Sequence, residues 1–167
     1  KYLHTCAIVT SRQLGETDRA LEMYDQVLEL DPSLDRALTE AIELRDGKGD
    51  YQGVEHLLKV QLEGATAKDD VDTMLATFER LGGLYKDKLG WMSEAIDAYE
   101  AAQTLDPDNI ERNELLAKLY ASDPAQYLDK AVAAQVPILR RNPYKPEPYK
   151  LLRKLYTDAK RADAAFC

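Results

Sequence analysis

The chain is poor in the residues on which most catalytic chemistry depends. Its 167 residues include two histidines, two cysteines and one tryptophan. His4 and His56 are too far apart in sequence to form a helix-spaced metal pair. There is no Cys-x-x-Cys, no Gly-rich phosphate loop and no Gly-x-Ser-x-Gly elbow. Asp69-Asp70-x-Asp72 has a cation-like spacing but lacks the glycine and glutamate of a calcium loop. The expectation is a non-catalytic protein with no cofactor. Cys6 and Cys167 stand at opposite ends, which gives no disulfide framework and fits a reduced, cytoplasmic protein. The first residue is Lys1 and not Met, so a removed leader is compatible with that reading. No apolar run approaches the roughly 20 residues that span a bilayer, so no membrane insertion is expected.

A surplus of basic charge is also missing. Net charge is −8. Residues 1–109 hold 11 Lys+Arg against 23 Asp+Glu, while residues 110–167 hold 11 against 7. An acidic body repels phosphate backbones, so nucleic acid is not an expected partner. Hydrophobic residues at 45% and charged residues at 31% describe a chain that folds. Gly and Pro are sparse, and Ala, Leu, Glu and Lys are plentiful, so helix is favoured over strand.

One stretch organises the rest. Phe78, Leu81, Gly82 and Tyr85 are followed by Ala95, Tyr99 and Ala102, and then by Pro107. This order of aromatic, Leu-Gly, Tyr, small, aromatic, small and Pro resembles a tetratricopeptide unit, in which one helix packs antiparallel on the next. The resemblance implies an all-α fold: a right-handed superhelix of antiparallel helix pairs, a tetratricopeptide-type α-solenoid. About nine helices in four and a half repeats are expected, at about 1–33, 34–68, 69–109, 110–145 and an incomplete 146–167. Stopping mid-repeat, with Ala165 where Ala95 stands and no polar closing helix, suggests a fragment of a longer protein.

The other repeats depart from this unit in readable ways. Repeat one stops its first helix at Gly15, offers Thr17 as a cap, and places Ala20, Leu21, Tyr24, Val27 and Leu28 on one face before Pro32. In repeat two, Leu38, Ala41, Ile42 and Arg45 ride the first helix. Gly47 and Gly49 break it, Asp50 caps the second helix, and Val54 and Gln61 replace small residues. Pro32 to Pro107 spans seven residues more than two 34-residue units. Six fall around Ala65–Asp70 and one in the turn Lys86–Gly90. They predict a lengthened helix, capped at Asp69 or Asp70 and running to about Lys86. Trp91 reads as a staple that closes the turn onto its own helix. Repeat four is capped at Asp108 or Asn109, and Pro137 predicts a kink or an early helix end. Repeat five opens at Pro146, with Tyr149, Leu152 and Tyr156 at the spacing of Phe78, Leu81 and Tyr85.

The resemblance also implies a concave groove lined by first helices. Carried over by position, its lining is Thr5, Val9 and Arg12; Arg36, Thr39 and Glu43; Glu79, Gly83 and Lys86; Glu111, Glu114 and Lys118; and Lys150 and Lys154. Relatives that clamp chaperone tails use Lys and Asn where this chain has Thr5 and Val9, so that activity is not implied. Glu43, Glu79, Glu111 and Glu114 make an acidic middle, and Lys150 with Lys154 a basic end. The expected partner is a protein or peptide with a basic segment. The alternative is a structural or oligomerisation spacer that self-associates through uncapped ends.

Overall fold

The short connections and three- to four-residue apolar spacing of the sequence can be satisfied only by helices that pack on their sequence neighbours. A computed structural model describes residues 2–141 and 143–160. Those residues form an all-α fold of nine α-helices and one π-helical turn. The expectations placed on Ala165 and Cys167 lie outside the described residues.

The chain divides into two units, residues 1–91 and 92–167. The first holds α1 (Tyr2–Arg12), α2 (Thr17–Leu30), α3 (Asp35–Lys48), α4 (Tyr51–Ala67), α5 (Val71–Leu84) and the π-turn (Tyr85–Leu89). Each helix packs on the next. The core is the stripe read from the sequence: Ala20, Tyr24, Leu38, Ala41, Ile42, Val54 and Leu58 are all buried. Small residues at 0% exposure, Ala20 and Ala41 among them, let the helix axes approach, and Tyr24 fills the space beside them.

Helix ends follow local chemistry. Gly49 adopts a left-handed φ of 75°, which a residue with a Cβ resists, and so ends α3. Gly47 stays inside that helix and does not break it. Asp50 caps α4 by accepting the Gly53 N–H at 3.0 Å, a bond worth about 1 kcal/mol. Thr17 is not a cap: Glu16 holds that position without a side-chain bond, and Thr17 is already helical. Asp70 caps α5, taking the Thr73 N–H at 3.1 Å and its hydroxyl at 2.7 Å.

The lengthened helix is present. Leu84, the last residue of α5, and Tyr85, the first of the π-turn, both keep helical dihedrals, so the helix runs from Val71 to Leu89. The extra turn residue is absorbed as a π-turn, the natural way to insert one residue without ending a helix. Gly90, at φ 70°, then stops it. Trp91 stacks on Tyr85 of the preceding turn, with centroids 5.9 Å apart. The Trp91 N–H bonds the Tyr85 carbonyl at 2.9 Å, which turns the ring backward.

The second unit holds α6 (Met92–Leu105), α7 (Ile110–Ser122), α8 (Pro124–Arg141) and α9 (Pro146–Asp158), again packed in sequence order. Ile96, Tyr99, Leu116, Leu119, Tyr120, Ala131 and Leu155 form its core. Asn109 caps α7 by accepting the Arg112 N–H at 3.0 Å. Pro137 neither kinks nor ends α8. The departure lies at Tyr127, with φ −116° and ψ 21°, ten residues earlier. Ala133, whose carbonyl Pro137 leaves without its helical donor, is solvent-exposed, so water can replace that bond. The bend at Tyr127 instead brings its ring to 5.9 Å from Tyr120. In α9 Pro148 and Leu155 are buried, Leu152 packs against the core and Tyr156 is half-buried; Tyr149 is half exposed and donates its hydroxyl to the Pro143 carbonyl.

Candidate protein-binding face

The first helices of each pair carry every groove candidate. In the first unit, Thr5, Val9 and Arg12 stand exposed on α1, Arg36, Thr39 and Glu43 on α3, and Glu79 on α5. Gly83 and Lys86 are half-buried on α5 and the π-turn. In the second unit, Glu111, Glu114 and Lys118 are exposed on one face of α7, and Lys150 and Lys154 on one face of α9.

Two candidates are drawn together by a residue that sequence reasoning passed over. Glu40, buried in α3, accepts hydrogen bonds from the Tyr24 hydroxyl at 2.9 Å and from His4 Nε2 at 3.0 Å. Arg36 Nε lies 3.4 Å and Arg12 Nη2 3.5 Å from its other oxygen. Burial by itself would raise the Glu40 carboxyl. Hydrogen bonds from Tyr24 and His4 together outweigh it and hold the group below the usual carboxylate range. The same contact pushes Tyr24 upward, burial being the larger cause and Glu40 the next. The two exposed guanidiniums are therefore held by a charged anchor beneath them. A signal existed: a glutamate on the apolar stripe of Ala37, Ala41 and Ile42, four residues after an arginine.

Gly83 lies in the wall of a cavity of about 320 Å³ between α3, α4 and α5. Buried Val54, Leu58 and Leu84 line its apolar part, and exposed Asp46, Arg80, Asp87 and Lys88 its charged part. Lys88 also lies 5.2 Å from the centroid of the Tyr51 ring. In the second unit, Glu114 borders a cavity of about 360 Å³ between α7 and α8, with Ile110, Ala134, Pro137, Ile138 and Arg141. The remaining candidates lie outside these cavities.

Buried Arg112 also escaped sequence reasoning, whereas half-buried Arg45 was placed on its stripe but given no partner. Arg112 donates Nη1 to the Ala102 carbonyl at 3.0 Å and to the Asp106 carbonyl at 2.7 Å, closing the C-terminal end of α6. Arg45 grips Asp25 through two 2.7 Å bonds and Asp50 through one of 2.6 Å. Both sit on apolar stripes, which was the available signal. Among the described residues no group of His, Cys, Asp and Glu could hold a metal ion. No described helix is long and apolar enough to cross a membrane.

Packed antiparallel helical hairpins with small residues at their close approaches define a helical-repeat protein. The tetratricopeptide repeat model matches residues 9–34 and 76–109, and those two segments are tetratricopeptide repeats. Repeats of this family serve in general as protein–protein contact scaffolds and not as enzymes. The segments outside the match include the decayed repeat two, where Val54 and Gln61 replace small residues.

Solved structures extend the likeness along the chain. The peptide-binding TPR protein YrrB is 21% identical with a TM-score of 0.57, covering 98% of this chain and 79% of that one. MamA is 22% identical with a TM-score of 0.55, covering 98% and 86%. The Naa15/Naa10 assembly bound to HypK-THB is 19% identical with a TM-score of 0.58, covering 98% of this chain and 23% of that one. At these identities the likeness is one of fold. No curated protein sequence matches the chain.

Proposed function

We propose that the chain is a non-catalytic scaffold that holds a peptide or helix against its first helices. The carrying observation is the cavity beside Gly83: an apolar lining to take a side chain, and charged residues at its edge to orient the segment. A neighbour of the same fold, YrrB, is described as having a peptide-binding site, which lends support to this reading. The partner's basic part would lie against Glu43 and Glu79 of the first unit; Glu111 and Glu114 offer the same charge within the second.

Selection of phage-displayed random peptides on the purified chain tests it. Selected peptides should combine Lys or Arg with a large apolar residue. Gly83→Leu, which fills the cavity, and the Glu43→Lys/Glu79→Lys pair should each weaken them at least about tenfold, or about 1.4 kcal/mol. Peptides that bind these variants as tightly as the original chain overturn the reading.

A further inference from the structure

Cations in the two units are used differently. In the first, Arg12, Arg36, Arg45, Lys48, Lys59 and Lys68 each form an ion pair with a carboxylate. Between residues 140 and 154 of the second, Arg140, Arg141, Lys145, Lys150, Arg153 and Lys154 are exposed, and none forms an ion pair with a described residue. That stretch holds a single acid, Glu147.

Local structure gathers these charges. Arg140 and Arg141 occupy the last turn of α8, where the helix carbonyls favour cations. Lys145 stands at the N-cap of α9. Lys150, Arg153 and Lys154 share the face of α9 opposite buried Leu155. Helices α8 and α9 pack on each other across a short connection, so the last turn of one neighbours the first turns of the other. Tyr144, 98% exposed, and half-exposed Tyr149 lie in the same stretch.

An ion-paired cation must release its partner before it serves a ligand; these six need not. Like charges held this close repel one another, and an anionic partner relieves that repulsion. We propose that the α8–α9 basic patch docks an acidic polypeptide segment of a partner protein. Charge complementarity selects the anion. The remainder of the molecule argues against a nucleic acid: net charge is −8, and residues 1–91 carry 11 Lys+Arg against 18 Asp+Glu, which repels a long polyphosphate but tolerates a short acidic peptide. The patch includes two groove candidates, Lys150 and Lys154. Its occupant is of opposite charge to the basic segment proposed above, so each proposal can fail without the other.

Fluorescence anisotropy with a labelled oligo-glutamate peptide, an oligothymidylate strand and vesicles containing anionic lipid tests the proposal. The peptide should bind most tightly, and more weakly as salt rises. Lys150→Glu/Arg153→Glu/Lys154→Glu should weaken it at least tenfold. Arg19→Glu/Lys48→Glu/Lys68→Glu changes net charge equally on exposed sites of the first unit and should leave it within twofold. All six positions are exposed, and unchanged circular dichroism melting of both variants verifies folding. Equal loss in the two triple variants, tighter binding of the strand or the vesicles, or no binding of the peptide overturns the proposal.

Discussion

In the first unit, Asp25, the acid that follows the packing tyrosine of α2, is held by Arg45 of α3. In the second, Glu100, the acid that follows the packing tyrosine of α6, is held at 2.7 Å by the Tyr120 hydroxyl of α7. Arg45 and Tyr120 occupy the same repeat position, the last inward site of a first helix. The link from one repeat to the next thus persists while its donor changes from a charged guanidinium to a neutral hydroxyl, and its chemistry from ion pair to charge-assisted hydrogen bond. The first unit adds a second ionic centre at Glu40, whereas the second closes α6 with Arg112, which holds two carbonyls through Nη1 and the Asp106 carboxylate through Nη2 at 3.2 Å. Similar apolar frames therefore carry polar links of different sensitivity to salt and pH.

The widest separation should come from buried Arg112 and half-buried Arg45. Arg112→Ala removes its bonds to the carbonyls of Ala102 and Asp106 and its ion pair with the Asp106 carboxylate, while the Ala102 carbonyl keeps the Asp106 N–H, and should cost about 2–3 kcal/mol. Arg45→Ala frees two carboxylates that are partly exposed and can rehydrate, so about 1–2 kcal/mol is expected. Raising salt to 1 M should shrink the Arg45→Ala difference, which rests on two ion pairs, more than that of Arg112→Ala, which rests on one ion pair and two bonds to carbonyls. Urea unfolding at both salt concentrations, with amide exchange resolved by segment, measures this. A salt-sensitive Arg112 and an insensitive Arg45 would reverse the comparison.

Acid should loosen the first unit through Glu40. Its carboxyl is held below the unfolded value, so its stabilisation is present above about pH 4.3 and is lost as pH falls through the folded value. The limiting slope is about 1.4 kcal/mol per pH unit for one proton. Asp50 acts in the same direction, held down first by the Gly53 N–H and then by Arg45. Amide exchange between pH 6 and 3 should show α1–α3 losing protection on acidification, and Glu40→Gln should flatten that loss. Unaltered acid sensitivity in the variant would remove Glu40 from the account.

How much of this was written along the chain depends on the range of the interaction. The apolar stripes, the Asp50, Asp70 and Asn109 caps and the lengthened helix were legible, because each is set by residues within a few positions of one another. Glu40 was not: His4 lies 36 residues away, and nothing local says that α1 will meet α3 there. The bend at Tyr127 was missed for a related reason. Proline disturbs any helix, but its effect depends on whether the freed carbonyl can reach water, and exposed Ala133 can. At the candidate face, positions came from the repeat frame. The anchor beneath Arg12 and Arg36 and the cavity beside Gly83 needed three dimensions.

The smallest expected effect sharpens the comparison most, because both units build the same triplet. Glu55 accepts from Tyr85 at 2.9 Å and from Lys59 at 2.5 Å. Glu100 accepts from Tyr120 at 2.7 Å and from Lys130 at 2.5 Å. Lys59 lies one turn along α4 from its glutamate, so it adds only a local pair; Lys59→Ala should cost about 0.2–0.5 kcal/mol. Lys130 comes from α8 and closes a contact among α6, α7 and α8, within 6 Å of the Tyr120 and Tyr127 rings. It is half exposed, and solvent screening keeps Lys130→Ala near 1 kcal/mol. A double-mutant cycle with Tyr120→Phe should show coupling beyond about 0.5 kcal/mol, and the matching cycle of Lys59→Ala with Tyr85→Phe should show less. Equal coupling in the two cycles would mean that crossing between helices adds nothing to the link, and that the units differ in charge alone.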